Sequence, residues 1–171
     1  ASLSECNIID LDTETVRVFV VNLKTLKYYY KDVDKKTLSV GKMKEVKFKA
    51  SEALPAVAFD RANINDHLRS IGGELFGYLQ FTTAIIRVDR FYYTTVCGGN
   101  KVSNFLFMKS SDGETWSFVS LVKHMVNYEA MLGYYDNKFW VMCRNGEETV
   151  SERKQQNLLY SDDGLNWTLS N

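Results

Sequence analysis

Two heptapeptides place serine, aspartate, glycine and tryptophan at one fixed spacing. Residues 110–116 (SSDGETW) and 161–167 (SDDGLNW) both read S-x-D-G-x-x-W. The side chains concerned are Ser110, Asp112, Gly113 and Trp116, and then Ser161, Asp163, Gly164 and Trp167. An aspartate in such a setting can act as an acid or base only if its oxygens are free. This spacing gives them another task, because an aspartate two residues after a serine accepts hydrogen bonds from the backbone N–H groups that a tight turn exposes. Serine does the same more weakly, glycine permits positive φ, and tryptophan packs back on the hairpin as a large apolar plug. The motif therefore reads as architecture, and no catalytic residue is assigned.

Other chemistry-bearing residues are scattered. His67 and His124 are the only histidines and stand far apart without a nucleophile elbow. Cys6, Cys97 and Cys143 make an odd count with no CxxC, which predicts buried thiols rather than a zinc site or a disulfide framework. Residues 10–14 (DLDTE) lack the glycine and distal glutamate of a calcium loop and read as a solvated hairpin turn. No metal or cofactor is expected. Exposed tyrosine and tryptophan faces stack on sugar rings, so Tyr92, Tyr93 and Trp140, with Arg144, are the ligand-binding candidates, set against the plainer role of filling spaces between sheets. The segments 98–104 and 144–156 read as long loops at equivalent points, where rigid scaffolds often carry function.

The elements that hold these residues repeat. Eroded forms of the box start at residues 32 and 70, ahead of the clear ones at 110 and 161. Before each lies an apolar strand, an acidic turn and another apolar strand, at 8–21, 56–64, 84–97 and 131–143. Apolar spacing also allows a short helix near 65–70. The expected fold is all-β: one domain, 1–171, of four repeats (8–48, 49–81, 82–126 and 127–171), each an antiparallel four-stranded blade of a β-propeller. A partial propeller completed by other chains, or a β-sandwich, is the alternative. Runs such as 105–108 (FLFM) and 139–143 (FWVMC) are apolar on both parities, which predicts sheets covered on both faces.

Composition narrows the partners. Twenty-one Lys and Arg balance twenty-one Asp and Glu, so a nucleic-acid surface has no support. No apolar run is long enough to span a membrane, which predicts a soluble chain without membrane insertion. A chain starting at Ala1 reads as a processed product or a piece of a longer polypeptide.

The boxes at 110–116 and 161–167 resemble the Asp-box, or BNR, repeat of sialidases and related propellers, although the residue usual between aspartate and glycine is missing in both. Residues 134–139 (YYDNKF) and 160–168 (YSDDGLNWT) are similar to repeats of bacteriophage tail and receptor-binding proteins and of bacterial surface proteins. The resemblance implies a non-enzymatic structural module, or one that binds a cell-surface glycan or protein receptor. It would belong to a virion, phage tail or other extracellular or cell-surface assembly, and could act as a homo-oligomer. The alternative it implies is a sialidase-like glycoside hydrolase or a fragment of one. That chemistry requires three arginines gripping a carboxylate, a tyrosine nucleophile with its glutamate, and an acid/base aspartate. The seven arginines here do not repeat that spacing.

Overall fold

The computed structural model describes residues 3–73, 79–81, 85–98, 104–123, 127–145 and 156–170. In chain order the elements begin with β1 (Leu3–Asp10), β2 (Thr15–Asn22), β3 (Lys27–Asp34) and β4 (Lys44–Glu45). Next come β5 (Lys47–Lys49), β6 (Val57–Ala58), α1 (Arg61–Ser70) and β7 (Leu79–Phe81). They are followed by β8 (Ile86–Val88), β9 (Phe91–Gly98), β10 (Asn104–Ser110) and β11 (Thr115–Lys123). The last are β12 (Asn127–Tyr135), β13 (Lys138–Asn145), β14 (Gln156–Ser161) and β15 (Thr168–Leu169).

Among the described residues the fold is all-β apart from one short helix, and the strands form three sheets. The first is the meander β1-β2-β3-β4 and the third is the meander β12-β13-β14-β15. The central sheet runs β6-β5-β11-β10-β9-β7, with β8 also paired to β9. A parallel pairing in it sets Trp116 opposite Phe48, where β5 joins β11.

Side chains alternate across a strand, so each sheet has two faces to cover. On β10, Leu106 and Met108 enter a core shared with the first sheet, where they meet Phe19, Val21, Tyr28 and Tyr30. Phe105 and Phe107 point the other way, into a second core with Leu132, Phe139, Val141 and Leu159 of the third sheet. Both parities of 105–108 are therefore fully buried, as expected for a sheet lying between two others. Each such large side chain contributes about 1.5–3 kcal/mol by leaving water.

The end sheets differ from that expectation. In the run 139–143, Phe139, Val141 and Cys143 are buried, whereas Trp140 is half-buried and Met142 is 37% exposed. Among the described residues the third sheet is packed against the second core on one side, and its other side carries Trp140 and Met142.

The segment expected as a second repeat, 49–81, does not make a sheet of its own. It contributes β6 and β7 to the two edges of the central sheet, and between them α1. Asp60 stops the strand reading of 56–64: its backbone is extended, and its side chain accepts from the Asn63 N–H at 3.0 Å, an N-cap that starts the helix. Ile64 and Leu68, one turn apart, bury against the first core. Of the eroded box expected at 70–76, residues 70–73 instead close the helix, with Gly72 at φ +79° and Gly73 N–H reaching back to Leu68 O at 2.9 Å, and 74–76 lie outside the described residues.

Candidate functional site

The two boxes form nearly identical turns. Asp112 Oδ1 accepts from Glu114 N–H at 2.7 Å and Thr115 N–H at 2.9 Å. Asp163 Oδ1 accepts from Leu165 N–H at 2.8 Å and Asn166 N–H at 2.9 Å. Ser110 and Ser161 each accept the glycine N–H at 2.8 Å and donate to their own aspartate. Gly113 and Gly164 stand at φ +67° and +73°. Burial raises the Asp112 pKa, but the N–H groups of Thr115 and Glu114 outweigh it and hold the carboxyl below its ordinary value. The Asn166 and Leu165 N–H groups hold Asp163 lower still. Neither group is poised to exchange a proton near neutrality.

Two further turns follow the same rule without the glycine. Asp12 Oδ1 takes the N–H groups of Glu14 and Thr15, and Asp34 Oδ1 those of Lys36 and Thr37. Residues 10–14 are thus an aspartate-held hairpin, and the eroded box at 32 keeps its carboxylate role. It loses its plug: Leu38, four residues past Asp34 as Trp116 is past Asp112, is 73% exposed.

Each clear box also docks on the sheet before it. Arg17 Nη1 of the first sheet donates to Asp112 O at 2.9 Å while its other nitrogens form a bidentate pair with Asp32. Trp116 is fully buried beside Phe19, with ring centres 6.3 Å apart. In the next pair, Ser120 Oγ of the central sheet donates to Gly164 O at 2.6 Å and accepts from Trp167 Nε1 at 3.0 Å. The Trp167 ring stands edge-on to Phe107 at 5.2 Å. Arg17 and Ser120 carry no local motif, and only the repetition of the docking shows their common role.

The proposed ligand-binding residues do not gather in one place. Tyr92 is buried in the first core and its hydroxyl donates to Asp10 O at 2.8 Å. Tyr93 lies against the second core, stacked on Phe107 at 5.5 Å. Both fill spaces between sheets, the plainer of the two roles considered. The Arg144 side chain and most of the loops 98–104 and 144–156 lie outside the described residues. Trp140 alone faces outward.

Around Trp140 the outer face of the third sheet is apolar. Trp140 pairs with Tyr160 on β14, ring centres 5.4 Å apart, and Gly133 opposite leaves its ring uncrowded. Next to it runs the row Met131, Met142 and Leu158, which are 49%, 37% and 37% exposed. Lys138 rims the face, bonded to Asp162 at 3.0 Å and lying over the Tyr160 ring. Sequence reasoning singled out Trp140 but missed its neighbours, because their alternation looked like that of a sheet covered on both sides.

One cleft of about 390 Å³ opens between β5, the 50–57 segment and α1, lined by Phe48, Leu54, Pro55 and His67 among others. His67 Nε2 is buried with no partner among the described residues, and burial lowers the imidazole pKa. Cys97 and Cys143 are buried as expected, and burial pushes the Cys143 thiol up to about 12. Among the described residues no group of His, Cys, Asp and Glu is placed to hold a metal ion, and no helix is long and apolar enough to cross a membrane.

No family model and no curated protein matches the chain. Among solved structures, the α-L-arabinofuranosidase Arb93A from Fusarium graminearum, determined with an iminosugar inhibitor, is similar with a TM-score of 0.57 at 12% identity. The match covers 99% of this chain and 48% of that one, so the chain spans about half the length of the enzyme it resembles. At this identity the likeness is one of fold alone.

Proposed function

We propose that the chain is a non-enzymatic β-propeller module with Asp-box turns, working by contact as a structural, receptor-binding or glycan-binding part of an extracellular assembly such as a phage tail. The observation that carries this reading is the outer face of the third sheet, where Trp140, Tyr160, Met131, Met142 and Leu158 form one apolar surface at the end of a stack. Contiguous apolar surface of this kind marks a place where something docks. The accounting of polar groups agrees with it. The Asp112 and Asp163 carboxylates hold turn N–H groups, Arg17 holds Asp32 and a carbonyl, and the Tyr92 hydroxyl holds a carbonyl.

A second reading, that the chain is a glycoside hydrolase or part of one, is favoured by the likeness to the arabinofuranosidase. Chromogenic sialosides and arabinofuranosides, together with a glycan-binding array, separate the two. The module reading expects no turnover above buffer on any glycoside, with binding to a receptor or glycan as its positive signature. Saturable hydrolysis would overturn it in favour of the enzyme.

A further inference from the structure

Helix α1 presents two different faces. Ile64 and Leu68, four positions apart, bury in the first core. Asn63, His67 and Ser70, spaced by four and three, share another face and line the cleft beside β5. The rest of that lining is apolar, with Phe48 from β5, Leu54 from the 50–57 segment and Val57 from β6. The His67 ring is wedged among aromatics, its centre 6.0 Å from that of Phe48 and 4.8 Å from that of Phe118. One helix thus supplies polar groups to a cleft whose other side is apolar.

Size, charge and hydrogen bonding each narrow what fits there. At about 390 Å³ the cleft falls within the range of small-molecule sites, about 300–1,000 Å³, in which apolar walls hold the body of a ligand and a few polar groups orient it. An apolar cavity of about 150 Å³ holds one benzene ring, so this cleft admits a fused pair. None of its lining residues is charged once His67 is neutral, the form that burial favours. Beside it, Lys49 pairs with Glu52 and Arg69 with Asp66. An ionic ligand would therefore leave water without a counter-charge, whereas a neutral one avoids that cost.

The helix side calls for a donor. Asn63 Nδ2 donates to Ala58 O at 3.0 Å, which fixes the orientation of the amide, and among the described residues its Oδ1 has no donor. Ser70 spends its hydroxyl hydrogen on His67 O at 2.6 Å, so towards a ligand it can only accept. We propose that the cleft binds a neutral two-ring aromatic molecule carrying an N–H group, its rings against Phe48 and Leu54 and its N–H directed to Asn63 Oδ1 or Ser70 Oγ. Indole is the smallest molecule of this class. The site flanks the central sheet and does not depend on the apolar face of the third, so either can hold without the other.

Proton–nitrogen correlation spectra of the labelled chain, titrated with indole, 1-methylindole and indole-3-acetate, test the proposal. Indole should give saturable shifts concentrated in residues 48–57 and 61–70. 1-Methylindole, which keeps the rings but has no donor, should bind about three- to tenfold more weakly, the loss of one net hydrogen bond. The anionic indole-3-acetate should also bind more weakly than indole. Val57 is 39% exposed and Leu54 51%, so a tryptophan at either fills the cleft without entering the core. Val57→Trp should abolish saturable binding with circular dichroism unchanged, and Leu54→Trp, outside any strand, gives the same test should Val57→Trp fail to fold. Shifts that do not saturate, shifts centred elsewhere, equal affinity for indole and 1-methylindole, or undiminished binding in a folded cleft-filling variant would each overturn the proposal.

Discussion

Arg17 Nη1 donates to the Asp112 carbonyl at 2.9 Å, joining the first sheet to a turn 95 residues later in the chain. Ser120 makes the corresponding bond to the Gly164 carbonyl at 2.6 Å. A box turn is thus held from two directions: its own aspartate gathers the N–H groups from inside, and a donor from the preceding sheet takes a carbonyl from outside. The local motif shapes the hairpin, and the distant donor decides where it sits.

Replacing Arg17 tests the second hold. Its guanidinium is almost fully buried, pairs with Asp32 at 2.7 Å and lies 3.9 Å from the Tyr30 ring centre. Arg17→Leu leaves the Asp32 carboxylate and the Asp112 carbonyl without this donor, a loss of about 3–5 kcal/mol for a broken buried pair, tempered because Asp32 is partly exposed. Arg17→Lys keeps the charge but not the bidentate geometry and should fall between. Urea denaturation midpoints measure both, and an unchanged midpoint in Arg17→Leu would show that the docking does not support the fold.

The glycines should rank by their surroundings. A Cβ on Gly113 would lie 2.6 Å from Ile9 Cδ1, and one on Gly164 would lie 2.7 Å from Phe107 Cε1. Gly72 has the same positive φ but nothing within 4 Å. Gly72→Ala should therefore cost about 1 kcal/mol, for backbone strain alone, while Gly113→Ala and Gly164→Ala add about 1–3 kcal/mol of steric displacement. Thermal melts of the three variants give the order, and equal losses would mean that the sheets yield at the boxes.

Trp116 and Trp167 occupy the same motif position with different polar outcomes. Trp167 Nε1 bonds Ser120 Oγ at 3.0 Å, whereas Trp116 Nε1 is buried with no partner among the described residues. A double-mutant cycle of Trp167→Phe and Ser120→Ala should give a coupling of about 0.5–1.5 kcal/mol. The same cycle between Trp116→Phe and Ser120→Ala should give a value near zero.

Much of the fold was legible because its determinants are local. The Ser-Asp-Gly spacing specifies both box turns, and the double apolar parity of 105–108 specifies a sheet covered on both sides. The all-β reading rests on such patterns and holds. What escaped depends on distance along the chain. Phe48 opposite Trp116 is a parallel pairing across 68 positions, which spacing cannot announce. The helix 61–70 was legible only in outline, because Asp60 serves equally well as a turn residue and as an N-cap until Asn63 closes the bond. Trp140 read as a sugar platform from its type alone, and its meaning comes from Met142 and Leu158 beside it. Tyr92 and Tyr93 read as binding residues because sequence does not distinguish an aromatic between sheets from one on their surface.

The aspartate-held turns should make stability acid-sensitive in a defined window. Asp12, Asp34, Asp112 and Asp163 are all held below the ordinary carboxyl value in the folded chain, the first two because the backbone N–H groups of Glu14 and of Thr37 favour the charged form. A depressed carboxyl pKa contributes stability that is fully present above the unfolded value and is lost as pH falls through the folded one. The melting temperature should therefore be level down to about pH 5 and fall increasingly below about pH 4, where the unfolded carboxyls begin to bind protons. Asp112→Asn keeps an acceptor oxygen but no titrating group. It should lower the melting temperature modestly at pH 7 and flatten the fall between about pH 4 and 2, with the double variant carrying Asp163→Asn flatter again. Melts at closely spaced pH values compare the slopes. Identical slopes in the variants and the unaltered chain would mean that carboxyls other than those of the boxes govern acid unfolding.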